Sequence, residues 1–446
     1  MSDATVVLVM VGIFLGLGYL GVPVAFAIMA GAVFATFYTG IAFESMANQL
    51  FNGVNSIPLL AIPFFLLVGE LLTSSNITDR IIRLAQVFVG HVKGGLAQVV
   101  TVFSMMFSGI SGSSTADVVA LSKVMLPAMK KEKYDMASSA ALIAAASTIA
   151  NMIPPSILAI VYGATGGVSI TALFLGGVAP GVVVGIGLMC YSYFFGFKDT
   201  LAKPRATRPE FASAVWRSIL PLGVPVIILG GILTGQFTPT EAGMAAVAYT
   251  VFVLFPLIAR GRLRHLFSDF KAVAILYSLP LLAVAAASAF AYIIAYLRAP
   301  QLASDAIASV AGHNGIVILL LLTAMLVIAG DFLDAIPAIV IFMPVIQALQ
   351  KLGDLNPVHV GVIVIVTLAF GLITPPYGLS LLLSTSFAGV SFTKGLVRSL
   401  PIYAVFFGAI LLLIFVPDVA LWLPRQIDPV AVGCFPSPGG TGFICP

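Results

Sequence analysis

The sequence predicts an all-α polytopic membrane protein built from inverted repeats, each with a re-entrant hairpin and a Pro-broken helix. Three observations predict it. The 446 residues are 60% hydrophobic and only 9% charged, against about 25% charged in an average soluble protein. Two apolar stretches, 95–128 and 314–350, are interrupted in their middles by GISGSSTAD (109–117) and GDFLDAIP (330–337). The chain also repeats its own landmarks at a spacing near 221 residues.

Runs and breakers place full spans near 4–20, 22–40, 57–75, 136–163, 170–196, 219–235, 243–259, 273–295, 358–388 and 399–416. The N-terminus lacks the basic stretch of a cleavable signal, so its apolar run is the first span. The arms of the interrupted stretches, at roughly 21–24 Å, fall short of a ~30 Å hydrocarbon core. A hairpin that enters and leaves on one side fits that length, with two short tilted crossings as the alternative. The spans 136–163 and 358–388 each contain a Pro-Pro pair, at 154–155 and 375–376.

Lys and Arg set the sidedness, because short cytoplasmic loops carry them in excess. Ten spans and two hairpins put 17 of the 21 on one side, from Arg80 to Arg398, and only Arg298, Lys351 and Arg425 on the other, with Lys123 on a hairpin arm. Both termini then face away from the cytoplasm, and the hairpins open from opposite sides. SIPLLA (56–61) recurs as SLPLLA (278–283), Gly94 as Gly315, NMIPPS (151–156) as LITPPY (372–377), GVS (167–169) as GVS (389–391) and Pro180 as Pro401. Amphipathic arms, 76–93 and 297–312, precede the two hairpins.

The net charge of +4 is too small, and too divided among loops, for nucleic-acid binding. Four dispersed histidines and three cysteines form no zinc spacing, and no P-loop, Gly-x-Ser-x-Gly or HExxH occurs, so neither an enzyme nor a resident cofactor is expected. Cys434 and Cys445 fall outside the cytoplasm in this topology, where a disulfide between them is permitted. Irregular backbone inside a bilayer is tolerated where it is buried in protein or lines a wet cavity, so the two tips and the two Pro-Pro breaks should converge near the midplane. Half-helix N-termini there favour an anion, and unwound carbonyls with hydroxyls are hard oxygen ligands for Na⁺. Ser111, Ser113, Ser114, Thr115 and Asn151 supply such oxygens in the first half, and Thr374 with Ser380 in the second. Asp117 has two readings: an ion ligand or proton carrier, or a capping-box partner of Ser114. Asp331 and Asp334 repeat the three-residue spacing and carry the same alternatives. Glu70 and Lys123 read as interfacial, snorkelling side chains.

SGISGSSTADVVALSKVMLPAM (108–129), ANMIPPSILAIVYG (150–163), FTPTEAGMAAVAY (237–249), GDFLDAIPAIVIFMP (330–344) and GLITPPYGLSLLL (371–383), in that order, resemble the large membrane subunit of tripartite ATP-independent periplasmic (TRAP) transporters. The resemblance implies a Na⁺-driven secondary transporter of the bacterial inner membrane. Its expected cargo is a carboxylate-bearing solute, such as a C4-dicarboxylate or sialic acid, received from a periplasmic solute-binding protein. It also implies a small four-helix membrane subunit, expected as a separate chain, and an elevator motion of the hairpin domain. The expected division is 1–94 as scaffold and first arm, 95–196 as the first half of a transport domain, 197–313 as loop, scaffold and second arm, 314–416 as its second half, and 417–446 as a periplasmic tail.

Carried onto this chain, the family's ion region falls on Gly109, Ser111, Gly112, Ser113, Ser114, Asn151 and Pro154, and on Gly330, Asp331, Asp334, Thr374 and Pro375; substrate contacts fall on Ser113, Ser114, Thr115, Pro155 and Pro376. The rival expectation is a self-sufficient, homodimeric Na⁺ or H⁺ dicarboxylate symporter of the related superfamily.

Overall fold

The structure, a computed structural model, describes residues 3–75, 77–197, 204–436 and 443–444. It is helical almost throughout. Helices α1 (Asp3–Tyr19) and α2 (Val24–Thr39) form an apolar pair, followed by α3 (Phe43–Val54), α4 (Ala61–Ser74) and the first arm, α5 (Thr78–Val89). A helix-turn-helix, α6 (Gly95–Ser111) and α7 (Ser114–Lys131), leads to α8 (Met136–Ser147), a break, α9 (Ile157–Gly166) and α10 (Ile170–Tyr191). Then come α11 (Arg208–Leu233), α12 (Pro239–Tyr249), α13 (Phe255–Ile258) and α14 (Leu266–Tyr296). The second series runs α15 (Ala299–Ala311), α16 (Gly315–Phe332), α17 (Ala335–Leu352), α18 (Pro357–Gly371), α19 (Leu379–Ala388) and α20 (Phe392–Phe415). Helix α21 (Asp418–Ile427) and a two-residue antiparallel pair, β1 (Phe435–Pro436) with β2 (Phe443–Ile444), close the described chain.

The two series match element for element, and some of their ends match too. Helices α9 and α19 both end at a left-handed glycine of a GVS triplet, Gly167 at φ 68 and Gly389 at φ 67. Both Pro-Pro pairs carry a cis peptide bond. Residues 137–147 of α8 and 358–371 of α18 are buried on every side, which suits helices that are apolar all round. Each half also holds the other's post-break helix, since α9 packs on α17 and α18 while α19 packs on α7 and α8.

By length and composition eight helical segments among the described residues can cross a membrane, α16 and α17 among them at 18 residues each. That is about 27 Å, longer than the arms read from the sequence. Two elements had no counterpart in the sequence reading. Helix α3 buries Met46 and crosses α14 so closely that a Cβ on Gly53 would sit 2.4 Å from that of Ser288. Helix α21 occupies the start of the presumed tail and packs on α10. Helices α11 and α14 begin at 208 and 266 rather than near 219 and 273. Their polar first turns are helical for local reasons, as at α11, where Thr207 and Glu210 form a capping box. The Cys434–Cys445 pairing lies outside the described residues.

Candidate functional site

The first tip is shaped by Gly112. Helix α6 stops there because Gly112 turns left-handed, at φ 60, and Ser113 becomes the N-cap of α7. A Cβ at Gly112 would lie 2.3 Å from the Pro155 carbonyl oxygen, so only glycine lets the tip rest on the first break. The Ile157 N–H donates to the Gly112 carbonyl at 3.3 Å, and the Asn151 amide donates to the Ser114 hydroxyl at 3.0 Å. Ser156 donates to the Asn151 carbonyl and receives the Ala159 N–H, starting α9.

Asp117 corrects the capping-box reading. The N-cap is Ser113, no side chain caps this N-terminus, and the fully buried Asp117 carboxylate instead accepts the Ser111 hydroxyl at 2.5 Å. The left-handed Gly112 moved the helix start one residue ahead of the position the spacing implied. The second oxygen of Asp117 has no partner among the described residues.

The second tip is built differently. Helix α16 runs to Phe332, Leu333 is extended, and Asp334 caps α17 through the Ala335 N–H at 2.8 Å. The Asp331 carbonyl receives the Tyr377 N–H at 2.9 Å, tying this tip to the second break. Gly330 lies against Gly371, whose added Cβ would stand 3.0 Å from the Gly330 Cα. Thr374 donates to the Gly371 carbonyl at 3.0 Å, and one Asp331 oxygen is buried without a partner.

Both tips open on one cavity of about 1040 Å³. Its polar wall comprises Ser113, Ser114, Thr115, Asn151, Asp331, Asp334 and Tyr377, with Pro376 beside them. Its apolar wall comes from the α1–α2 turn around Val22, from Ile62 and Leu66 of α4, and from Tyr277 and Pro280 of α14. The candidate residues therefore divide. Ser113, Ser114, Thr115, Asn151, Asp331, Asp334 and Pro376 face the cavity, whereas Gly109, Ser111, Gly112, Pro154, Gly330, Thr374 and Pro375 stand behind it. Pro155, expected at the substrate, also stands behind, because its carbonyl is packed on Gly112.

Tyr377 and Tyr277 were not foreseen. Tyr377 follows the second Pro-Pro pair directly, which was the available signal. Tyr277, just before the second copy of the repeated SxPLLA segment, donates to the carbonyl of Leu59 in the first copy at 3.3 Å. Among the described residues the cavity lining holds two carboxylates and no Lys or Arg. An anion entering it meets helix N-termini at α7 and α17 and needs added positive charge to offset Asp331 and Asp334.

A multi-pass helical chain whose two turn regions and two broken helices enclose a single chamber has the fold of membrane transporters. It superposes with a TM-score of 0.59 on the YdaH transporter of Alcanivorax borkumensis, at 15% identity over 84% of this chain and 87% of that one. The family is settled by sequence: residues 11–419 match the DctM component of the tripartite ATP-independent periplasmic transporters, and the chain belongs to that family. It is 33% identical over 421 residues to the 2,3-diketo-L-gulonate TRAP transporter large permease protein YiaN of Escherichia coli, covering 93% of this chain and 98% of that protein. It is 34% identical over 418 residues to the sialic acid TRAP transporter large permease protein SiaM of Vibrio cholerae, covering 92% and 96%. The chain is thus a transporter permease component and not an enzyme.

Proposed function

We propose that this chain is the Na⁺-coupled subunit that moves carboxylate-bearing solutes across the bacterial inner membrane. A periplasmic solute-binding protein delivers the solute, and a small four-helix membrane subunit supports the spans. Both termini face the periplasm, an orientation the Lys and Arg distribution supports. The relatives named for 2,3-diketo-L-gulonate and sialic acid support an organic acid as the solute. The family's description as tripartite favours dependence on partners over a self-sufficient symporter.

The observation that carries this reading is the shared cavity, polar on the side of the two tips, acidic, and without a basic side chain among the described residues. A carboxylate is bound there with the help of bound cations. Behind the cavity wall, Gly109, Ser111, Gly112 and Pro154 at one tip, and Gly330, Thr374 and Pro375 at the other, supply carbonyls and hydroxyls suited to Na⁺. One ion at each tip orders the turn, presents the α7 and α17 N-termini, and closes the cavity around the solute. Residues 95–196 and 314–416, containing re-entrant hairpins and Pro-broken helices, then move as one body against a scaffold of 1–94 and 197–313, linked by α5 and α15.

The test is uptake of organic acids by vesicles containing this chain, with the small subunit and the binding protein added or withheld. Uptake is expected only with all three, and Ser114→Phe, which fills the cavity from the first tip, should abolish it without preventing assembly. Uptake by the chain alone contradicts the reading.

A further inference from the structure

The first arm carries a second pocket that the transport path does not use. Helices α5 and α11 are stapled to each other: Arg80 donates to the Arg217 carbonyl at 3.3 Å, and the Ser218 hydroxyl donates to the Arg80 carbonyl at 3.1 Å. Between them lies a cavity of about 440 Å³ lined by Asp79, Arg80, Arg83, Ala214 and Arg217. Three guanidinium groups from two helices share this space with one carboxylate. None of the three forms an ion pair among the described residues, although Glu210 is near enough to feel Arg83. The Arg80 guanidinium is held below the ordinary arginine range, first by partial burial and then by Arg217. Like charges brought together at a stapled contact are repulsive unless an anion lies between them.

The level of the pocket follows from α11. Residues 219–233 are its apolar part, and Arg217 and Trp216 sit at the polar boundary, with Trp216 76% exposed. An exposed tryptophan beside arginine at the end of an apolar segment marks a membrane interface. Phe88 of α5 and Phe211 of α11, both exposed and packed edge to face, continue the aromatic surface beside it. The forked N–H groups of arginine match phosphate oxygens in pairs, and one hydrogen bond to a carbonyl leaves Arg80 several donors.

We propose that this pocket binds a phosphate-bearing anion, and that the anion locks the first arm to α11. A phospholipid headgroup at the interface and free phosphate in solution share this chemistry, and the experiment separates them. The chain, purified with its small subunit, is examined by native mass spectrometry after exposure to phosphatidylglycerol, phosphatidylcholine or inorganic phosphate. Wild type should retain phosphatidylglycerol above phosphatidylcholine. Arg83→Gln and Arg217→Gln, both at exposed side chains, should each lower that retention about fivefold. Ala214→Met, which fills the buried floor without changing charge, should do the same while the melting temperature in lipid-free detergent reports whether it folds. Displacement of the lipid by inorganic phosphate assigns the site to phosphate itself, and failure to displace it assigns the site to the headgroup. Equal retention of phosphatidylglycerol by wild type and both arginine variants, with no phosphate bound by wild type, overturns the proposal.

Discussion

The Asn151 side-chain amide donates to the Ser114 hydroxyl at 3.0 Å, joining two residues 37 positions apart. The bond fastens the first tip to the first break, and both residues face the cavity. If the pair positions the tip for ion and solute, Asn151→Ala and Ser114→Ala should each raise the Na⁺ concentration needed for half-maximal uptake. The double variant should be little worse than either single one, with a coupling of about 0.5–3 kcal/mol. Additive losses would show that the two residues act independently.

Gly112 gives a steric prediction. Gly112→Ala places a Cβ 2.3 Å from the Pro155 oxygen in a left-handed backbone, whereas Gly230 has nothing within 4 Å of an added Cβ. Gly112→Ala should cost uptake about fivefold or more, in line with a backbone penalty of ~1–3 kcal/mol. Gly230→Ala, in the last turn of α11, should be neutral or slightly stabilising. Uptake assays with parallel melting curves distinguish a misplaced tip from a misfolded chain.

Asp117 and Ser111 test the role of the buried carboxylate. Asn can still accept the Ser111 hydroxyl that Asp117 now accepts at 2.5 Å, so Asp117→Asn should leave uptake Na⁺-driven. Asp117→Leu strands that hydroxyl and should destabilise by about 1–3 kcal/mol. Loss of all uptake in a folded Asp117→Asn protein would instead give the carboxylate a direct role, as ion ligand or proton carrier.

Outside the spans, Asp135 yields a pH prediction. Burial acts to raise its pKa, but the Ser138 hydroxyl and N–H together with Arg398 outweigh that and hold it below the ordinary 3.8. A depressed carboxylate stabilises the fold fully above its unfolded pKa and loses that contribution as pH falls through the folded value. The melting temperature of wild type relative to Asp135→Asn should therefore be flat from neutral pH down to about pH 5 and decline below 3.8. The Arg398–Asp135 pair is 3.3 Å apart with both side chains at least half exposed, so Arg398→Gln should cost under about 1 kcal/mol. A constant difference across the acid range would contradict the assignment.

The parts of this architecture legible beforehand were those written as breaks in apolar runs. Gly-Ser tips and Pro-Pro pairs interrupt an otherwise monotonous composition, so 109–117, 330–337, 154–155 and 375–376 stood out, and each tip does pack on its own break. Helices α3 and α21 did not stand out, because short amphipathic helices bury one stripe and have modest mean hydropathy. The capping alternative for Asp117 failed for a conformational reason, the left-handed Gly112. The apolar wall of the cavity, with Val22, Ile62 and Tyr277, was illegible because packing between distant segments, and not local pattern, assembles it.

The coupling ion is tested most directly by loading vesicles with the chain and both partners and imposing Na⁺ and pH gradients separately. An inward Na⁺ gradient without a pH gradient should drive accumulation of the acid, and Thr374→Ala, behind the second tip, should weaken that dependence. Accumulation driven by a pH gradient in the complete absence of Na⁺, unaffected by Thr374→Ala, would contradict the account.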